Sequence, residues 1–282
     1  MTSFIEALQV YTFLQYALAA GILASVAAGV IGTYVVTRRI SYIAGSIAHC
    51  VLGGMGAARY LSTVYGWQWI TPLRGAIVAA LLAAIIIGVV SLLAKQREDT
   101  VIGAVWAIGM AVGVLFIAKT PGYQQDLMGY LFGNILTVSA NDLALIVLLD
   151  IIVVGVGLIF YNQLLAMSFD EEYARLRGIH VELYFLVLLC LTALTTVLLV
   201  SVVGIVLVIA LLTLPAAIAG HFSKSLWQMM ALAVVCSMLV TTGGLAISYA
   251  PDLPAGATIV LLAGGLYLLV AGATKLFSGR AR

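Results

Sequence analysis

Charge is the scarcest commodity in this sequence. Only 9% of its 282 residues are Asp, Glu, Lys or Arg, while 64% are hydrophobic. Soluble domains carry roughly 25% charged residues. So few charges cannot cover the aqueous surface of a globule this long. The chain is therefore read as all-α, a polytopic integral membrane helical bundle forming one domain over residues 1–282. A barrel would show short alternating strands instead of long apolar runs. The net charge is only +2 and the basic residues are scattered, which argues against nucleic acid as a partner.

Cysteine is nearly absent too. Cys50, Cys190 and Cys236 all lie inside apolar runs with no short spacing between them. That excludes a disulfide framework and a paired-thiol metal site, and leaves each as a small packing residue. No GxxxxGK[ST] phosphate loop, GxSxG elbow or HExxH zinc motif is present. The chain thus has no ATP site of its own, is not expected to be an enzyme, and is expected to hold no intrinsic cofactor. If it pumps, the energy comes from a partner chain or an ion gradient. The N-terminus MTSFIEALQV has no basic n-region, so no cleavable signal peptide is expected.

What is present is a series of apolar runs. A helix needs about 20 apolar residues to cross a bilayer. Eight or nine spans are expected, near 12–36, 41–61, 75–94, 101–118, 141–163, 183–200, 202–220, 226–248 and 257–275. The run 183–220 is split at Ser201 to Gly204, which makes that boundary the decisive one for the count. Leu127 to Val138 is apolar but too short to span, and is read as re-entrant or interfacial. Lysine and arginine then set the orientation. Arg38, Arg39, Lys95, Arg97, Arg175, Arg177, Lys224, Lys275, Arg280 and Arg282 fall on one side of nine spans. Only Arg59, Arg74 and Lys119 fall on the other. The N-terminus is expected outside and the C-terminus in the cytoplasm.

The longest polar run, SFDEEYARLRGIHVE from Ser168 to Glu182, is then cytoplasmic. Ser168 and Glu171 have capping-box spacing, Glu171 and Arg175 have ion-pair spacing, and Gly178 is a natural stop. A two-turn helix is expected there, serving either as a solvated link between spans or as a docking helix for a soluble partner.

Polar groups at membrane depth tend to mark pathways. His49 lies about 12 Å into its span at 1.5 Å per residue. Ser46 and Gly53 fall on the same face at helical spacing. A neutral imidazole ligates transition metals, or else simply bonds a neighbouring helix. Asp150 is the other intramembrane ionisable group, either a ligand, a proton-linked group or a protonated acid bonded across the bundle. Asp126, Asp142 and Asp252 sit at outer span ends and read as solvated carboxylates. Pro215 removes a backbone hydrogen bond within LLTLPAAIAG, as a gate or a simple kink. His180 and His221 read as surface residues. Gly45, Gly53, Gly54, Gly56, Gly103, Gly109 and Gly113 suit close helix packing.

Five stretches together resemble one family. They are TRRISYIAGSIAHCVLGG (37–54), EDTVIGAVWAIGMAVGVLFIA (98–118), DLMGYLFGNILTVS (126–139), SFDEEYARLRG (168–178) and VGIVLVIALLTLPAAIA (203–219). In this order they are similar to the permease subunits of bacterial ABC importers for zinc, manganese or iron. The resemblance implies a multi-pass subunit of the bacterial inner membrane that works as a homodimer. It implies a cytoplasmic ATP-binding subunit carrying the ATP, and an extracytoplasmic metal-binding protein that delivers a divalent metal ion. It assigns coupling to the ATPase to Phe169, Asp170, Glu171, Glu172, Arg175 and Gly178, and places His49, with Ser46 and Asp150, on the metal path. One departure stands out. The family often carries Asp four residues before that histidine, where this chain has Gly45. A permease for an iron chelate or other small ligand, and an ion-coupled secondary carrier, are the competing readings.

Overall fold

The computed structural model describes residues 4–93, 98–121, 135, 138–205 and 208–278. Lys95, Arg97, Asp126, Arg280, Arg282 and most of Leu127 to Val138 lie outside the described residues. The described chain is helical from end to end: α1 (Phe4–Val10), α2 (Thr12–Thr37), α3 (Ser41–Val64), α4 (Pro72–Leu93), α5 (Glu98–Lys119), α6 (Ala140–Ile159), α7 (Tyr161–Phe169), α8 (Glu171–Leu176), α9 (Val181–Val203), α10 (Val208–Phe222), α11 (Leu226–Tyr249) and α12 (Ala255–Ser278).

Seven of these, α2, α4, α5, α6, α9, α11 and α12, are long and apolar enough to cross a membrane. The other two segments of the expected nine depart for separate reasons. α3 has ample length, at 24 residues, but carries Ser, Gly and His among its apolar side chains. Its Ser46, Gly45 and Gly53 are buried against other helices rather than turned to lipid. α10 is only 15 residues long. Gly204 ends α9 at φ 79°, ψ 168°, a conformation essentially reserved for glycine, so the expected split of the long apolar run is real.

The termini of the helices alternate as the charges require. Phe4 stacks edge-on against Tyr249, bringing the start of the chain to the end of α11. At the opposite end, Arg38 bonds the Met167 carbonyl and Thr37 approaches Met229. Arg38, Arg39, Arg175, Arg177 and Lys224 therefore share one face.

α2 is the axis of the bundle. It packs on α11, α6, α9 and α10, and its buried positions are mostly small: Ala17, Ala20, Gly21, Ala24, Ala27, Ala28, Gly29 and Gly32. Small side chains let backbones approach where lipid supplies no apolar drive for association. Two hydrogen bonds pin the axis laterally. The Tyr34 hydroxyl donates to the Gly157 carbonyl at 3.2 Å, and Ser25 and Thr241 share a bond of 3.2 Å.

α3 is held the same way on two sides. A methyl added at Gly54 would sit 2.1 Å from the Gly75 carbonyl of α4, and one at Gly53 2.8 Å from the Gly109 carbonyl of α5. Gly56 repeats the contact against Gly113. Gly103, by contrast, faces nothing within 4 Å and is not a packing glycine. The cysteines are free, as expected, and the Cys50 thiol donates to the Val105 carbonyl at 3.1 Å.

Helix ends are closed by local chemistry. Ser139 and Asp142 form a full capping box at α6, so Asp142 is a cap and not a loose carboxylate. Arg39 leaves α2 at φ 60°, with Arg39 N–H on the Val36 carbonyl and Ile40 N–H on the Val35 carbonyl. That is the Schellman closure, which makes the α2–α3 turn tight. The span expected over 141–163 stops at Ile159. Phe160 breaks the helix, and α7 sets off as a separate short helix.

Gly54→Ala should cost about 1–3 kcal/mol by forcing two backbones apart. Gly265→Ala, where nothing lies within 4 Å, should be neutral or stabilising by about 0.5–1 kcal/mol. Thermal unfolding of the detergent-purified chain reads both, as a lowered midpoint for the first and no loss for the second.

Candidate functional site: a short polar helix and a histidine in the bundle

The polar run folds as α7, a break at Asp170, and α8. The expected cap at Ser168 is not the one used. Ser168 lies in the last turn of α7 and donates back to the Leu164 carbonyl at 2.6 Å. Asp170 is extended, at φ −151° and ψ 105°, and its carboxylate accepts from Tyr173 N–H at 3.0 Å. Asp and Ser cap equally well, so the apolar packing of Leu164 and Met167, both buried, decides where the break falls. α8 is shorter than the expected two turns, at 6 residues. Gly178 ends it at φ 76°, with Gly178 N–H on Arg175 and Ile179 N–H on Ala174, a second Schellman closure.

The expected Glu171–Arg175 pair does not form. Glu171 turns to Arg38 on the α2–α3 turn, and Arg175 bonds Glu182 of α9 at 2.6 Å. An exposed pair at helical spacing contributes only about 0.3–0.5 kcal/mol, so tertiary partners displace it readily. Ala174 is the buried side of α8. The outer side is apolar where a solvated link would be polar. Leu176 is 87% exposed, Phe169 69% and Tyr173 48%, with the charges of Glu172 and Arg177 beside them. Exposed apolar groups of this size make this side a candidate interaction surface.

His49 lies half-buried in α3, stacked on Trp106 of α5 with ring centroids 4.3 Å apart and planes 12° apart. Trp106 is anchored by its indole N–H on Met110 sulfur at 3.2 Å. The stack fixes the plane of the imidazole, and its buried Nδ1 has no hydrogen-bond partner among the described residues. Nδ1 is thus unpaired there.

Ser46 is not. Its hydroxyl is fully buried and donates to the Ile102 carbonyl at 2.9 Å, a helix-pairing bond between α3 and α5. Gly45, one turn before His49, is not open space either. A side chain there would begin 2.6 Å from Cδ1 of Ile209 on α10. An apolar side chain thus occupies the volume in which a carboxylate would stand.

Asp150 is 8% exposed and lies against the α2 backbone at Ala27, with Oδ1 unpaired among the described residues. It belongs to the α6–α2 contact, whereas His49 belongs to the α3–α5 contact, so the two groups serve different helix pairs. No cluster of three or more His, Cys, Asp or Glu side chains occurs among the described residues. Pro215 is buried inside an unbroken α10, where its missing N–H leaves the Leu211 carbonyl without its helical donor. Trp106, Tyr173 and Leu176 are among the residues at these sites that the sequence did not single out, and Arg38 stands out there only as part of a basic pair. A tryptophan in a span and a basic pair after one are ordinary, and only contact shows their partners.

The ABC 3 transport family matches residues 10–273. The chain belongs to this family. Among its relatives is an uncharacterized membrane protein of Synechocystis sp., 42% identical over 265 residues that cover 94% of this chain and 92% of the relative. The manganese transport system membrane protein MntC of Halalkalibacterium halodurans is 34% identical, over 95% of this chain and 90% of its own. Among solved structures, PsaBC from Streptococcus pneumoniae in complex with Fab contains a chain that matches with a TM-score of 0.84. The identity is 34%, covering 95% of this chain and 94% of that one. This ABC 3 member is a multi-pass membrane protein and a transport subunit.

His49→Ala should lower metal transport while leaving expression and assembly largely unchanged, because it removes the Trp106 stack but no hydrogen bond at Nδ1 among the described residues. Uptake of labelled metal into whole cells, normalised to membrane protein level, checks it. Unchanged uptake removes His49 from the path.

Proposed function

We propose that this chain is the translocation subunit of an ATP-driven importer of a divalent transition metal, with manganese as the cargo ahead of zinc or iron. The observation that carries the reading is the match to the ABC 3 family over nearly the whole chain, together with a relative named for manganese transport. The absence of a nucleotide motif is in keeping with ATP hydrolysis on a separate cytoplasmic subunit. Phe169, Tyr173 and Leu176, with Asp170 and Gly178 shaping the helix and Glu172 and Arg175 charging it, form its docking face, while Glu171 turns to Arg38 behind it. An extracytoplasmic metal-binding protein delivers the ion at the opposite end of the bundle.

One chain offers a single imidazole at depth. Two copies facing each other would line one path with two, so the working unit is a homodimer. Such a path holds metal weakly. Weak holding suits a conduit, since an ion bound in a complete cage leaves slowly. Asp150, buried away from the His49 contact, serves the path indirectly, through the α6–α2 pairing. Pro215 supplies a free carbonyl and a weakened point in α10. On ATP-driven closure the docked subunits displace α8, and packed helices move as rigid bodies.

Cells lacking the chain, grown with manganese, zinc or iron restored one at a time, test the cargo. Rescue at the lowest added concentration is expected for manganese. Rescue by zinc or iron alone replaces the cargo, and rescue by no free metal favours a chelate permease. Leu176→Glu tests the docking face, with loss of the co-purifying ATP-binding subunit and an intact membrane chain expected.

A further inference from the structure

Arg38 touches more elements than its own turn needs. It caps the C-terminus of α2. Its Nη1 donates to the Met167 carbonyl of α7 at 2.7 Å, and its Nη2 pairs with Glu171 of α8. Its guanidinium lies over the Phe185 ring of α9, 5.0 Å from the centroid. A planar, always charged fork is suited to hold several partners in one geometry. The Arg38 side chain is only 13% exposed, so solvent screens its Met167 and Phe185 contacts weakly, while Glu171, at 49%, is reached by solvent.

α8 has one other ionic attachment among the described residues, Arg175 to Glu182. Both of those side chains are about half exposed, at 53% and 49%, where an ion pair holds little. Apolar packing does not fill the space on the Arg38 side. A cavity of about 490 Å³ opens there, lined by Arg38, Tyr42, Ser91, Met167, Glu171 and Phe185 among others. α8 packs mainly on α7 and α9. Across the cavity, the connection to the α2–α3 turn is the Arg38 side chain.

Both ends of that connection are stiff. The α2–α3 turn is locked by its Schellman closure at Arg39, and α8 by Asp170 at its start and Gly178 at its end. α3 begins at Ser41, just beyond the turn, and carries His49 two turns further on.

We propose that Arg38 is a positioning residue, the strut that passes displacement of α8 to the α2–α3 turn and along α3 to His49. The cavity beside it provides the room in which α8 moves. The proposal rests on the reading that an ATP-binding subunit docks on α8.

The test uses proteoliposomes holding the full chain with its ATP-binding subunit, and reads metal moved per ATP hydrolysed. Arg38→Met and Glu171→Ala should each lower that ratio by roughly tenfold, the scale of an ordinary coupling between sites. The ATP-binding subunit should still co-purify. The double variant should be no worse than the poorer single, because both changes remove one link. Glu171→Gln, which keeps an acceptor oxygen for Arg38, should retain most of the coupling. Glu171 is half exposed, so its variants carry the test even where Arg38→Met fails to assemble. An unchanged ratio in Glu171→Ala, or losses that multiply in the double, overturns the strut while leaving docking intact. Failure of the unaltered chain to hold an ATP-binding subunit overturns docking, and the strut with it.

Discussion

Close backbone contact between helices is the constraint on which the rest of this molecule depends. In lipid, apolar side chains gain nothing by leaving one apolar surface for another, so helices associate through packing and hydrogen bonds. The chain meets that condition with glycine and alanine at the crossings. Gly54 and Gly75 bring α3 and α4 together, Gly53 and Gly109 bring α3 and α5 together, and the alanines of α2 receive four neighbours. Hydroxyl groups then lock what the small residues permit, as Tyr34 does on Gly157 and Ser46 on Ile102.

α3 joins these packing contacts to function. It is held on two sides by backbone-to-backbone approach. It starts at the turn that Arg38 ties to α8, and it carries His49 within the bundle. Stacking on Trp106 leaves that histidine oriented but without a hydrogen-bond partner at Nδ1 among the described residues.

Asp150 and Ser46 illustrate the other fate of polar groups at depth. Both were candidates on the same grounds as His49, since polar side chains in a span are costly and need a reason. Ser46 has a complete structural reason in the Ile102 carbonyl. Asp150 has a place in the α6–α2 contact and no part in the contact that holds His49. The departure at Gly45 also becomes intelligible, because Ile209 fills the space and a carboxylate there would require α10 to give way.

Much of this was determined by the sequence alone. Scarce charge and long apolar runs dictate a helical membrane bundle, because a helix satisfies its own backbone polar groups in lipid and the alternating strands of a barrel are missing. The distribution of lysine and arginine orients it, and the run 183–220 carries its own break at Gly204, whose conformation is nearly exclusive to glycine. These are properties of single residues and short segments. The tertiary structure alone decided pairings between segments far apart in the chain. Glu171 chose Arg38 over the nearby Arg175, Asp170 took the cap expected of Ser168, and Trp106 rather than an acid became the neighbour of His49. Local spacing proposes such partners at a fraction of a kcal/mol to about 1 kcal/mol each. The packing of whole helices outweighs that, and so it selects which side chains finally meet.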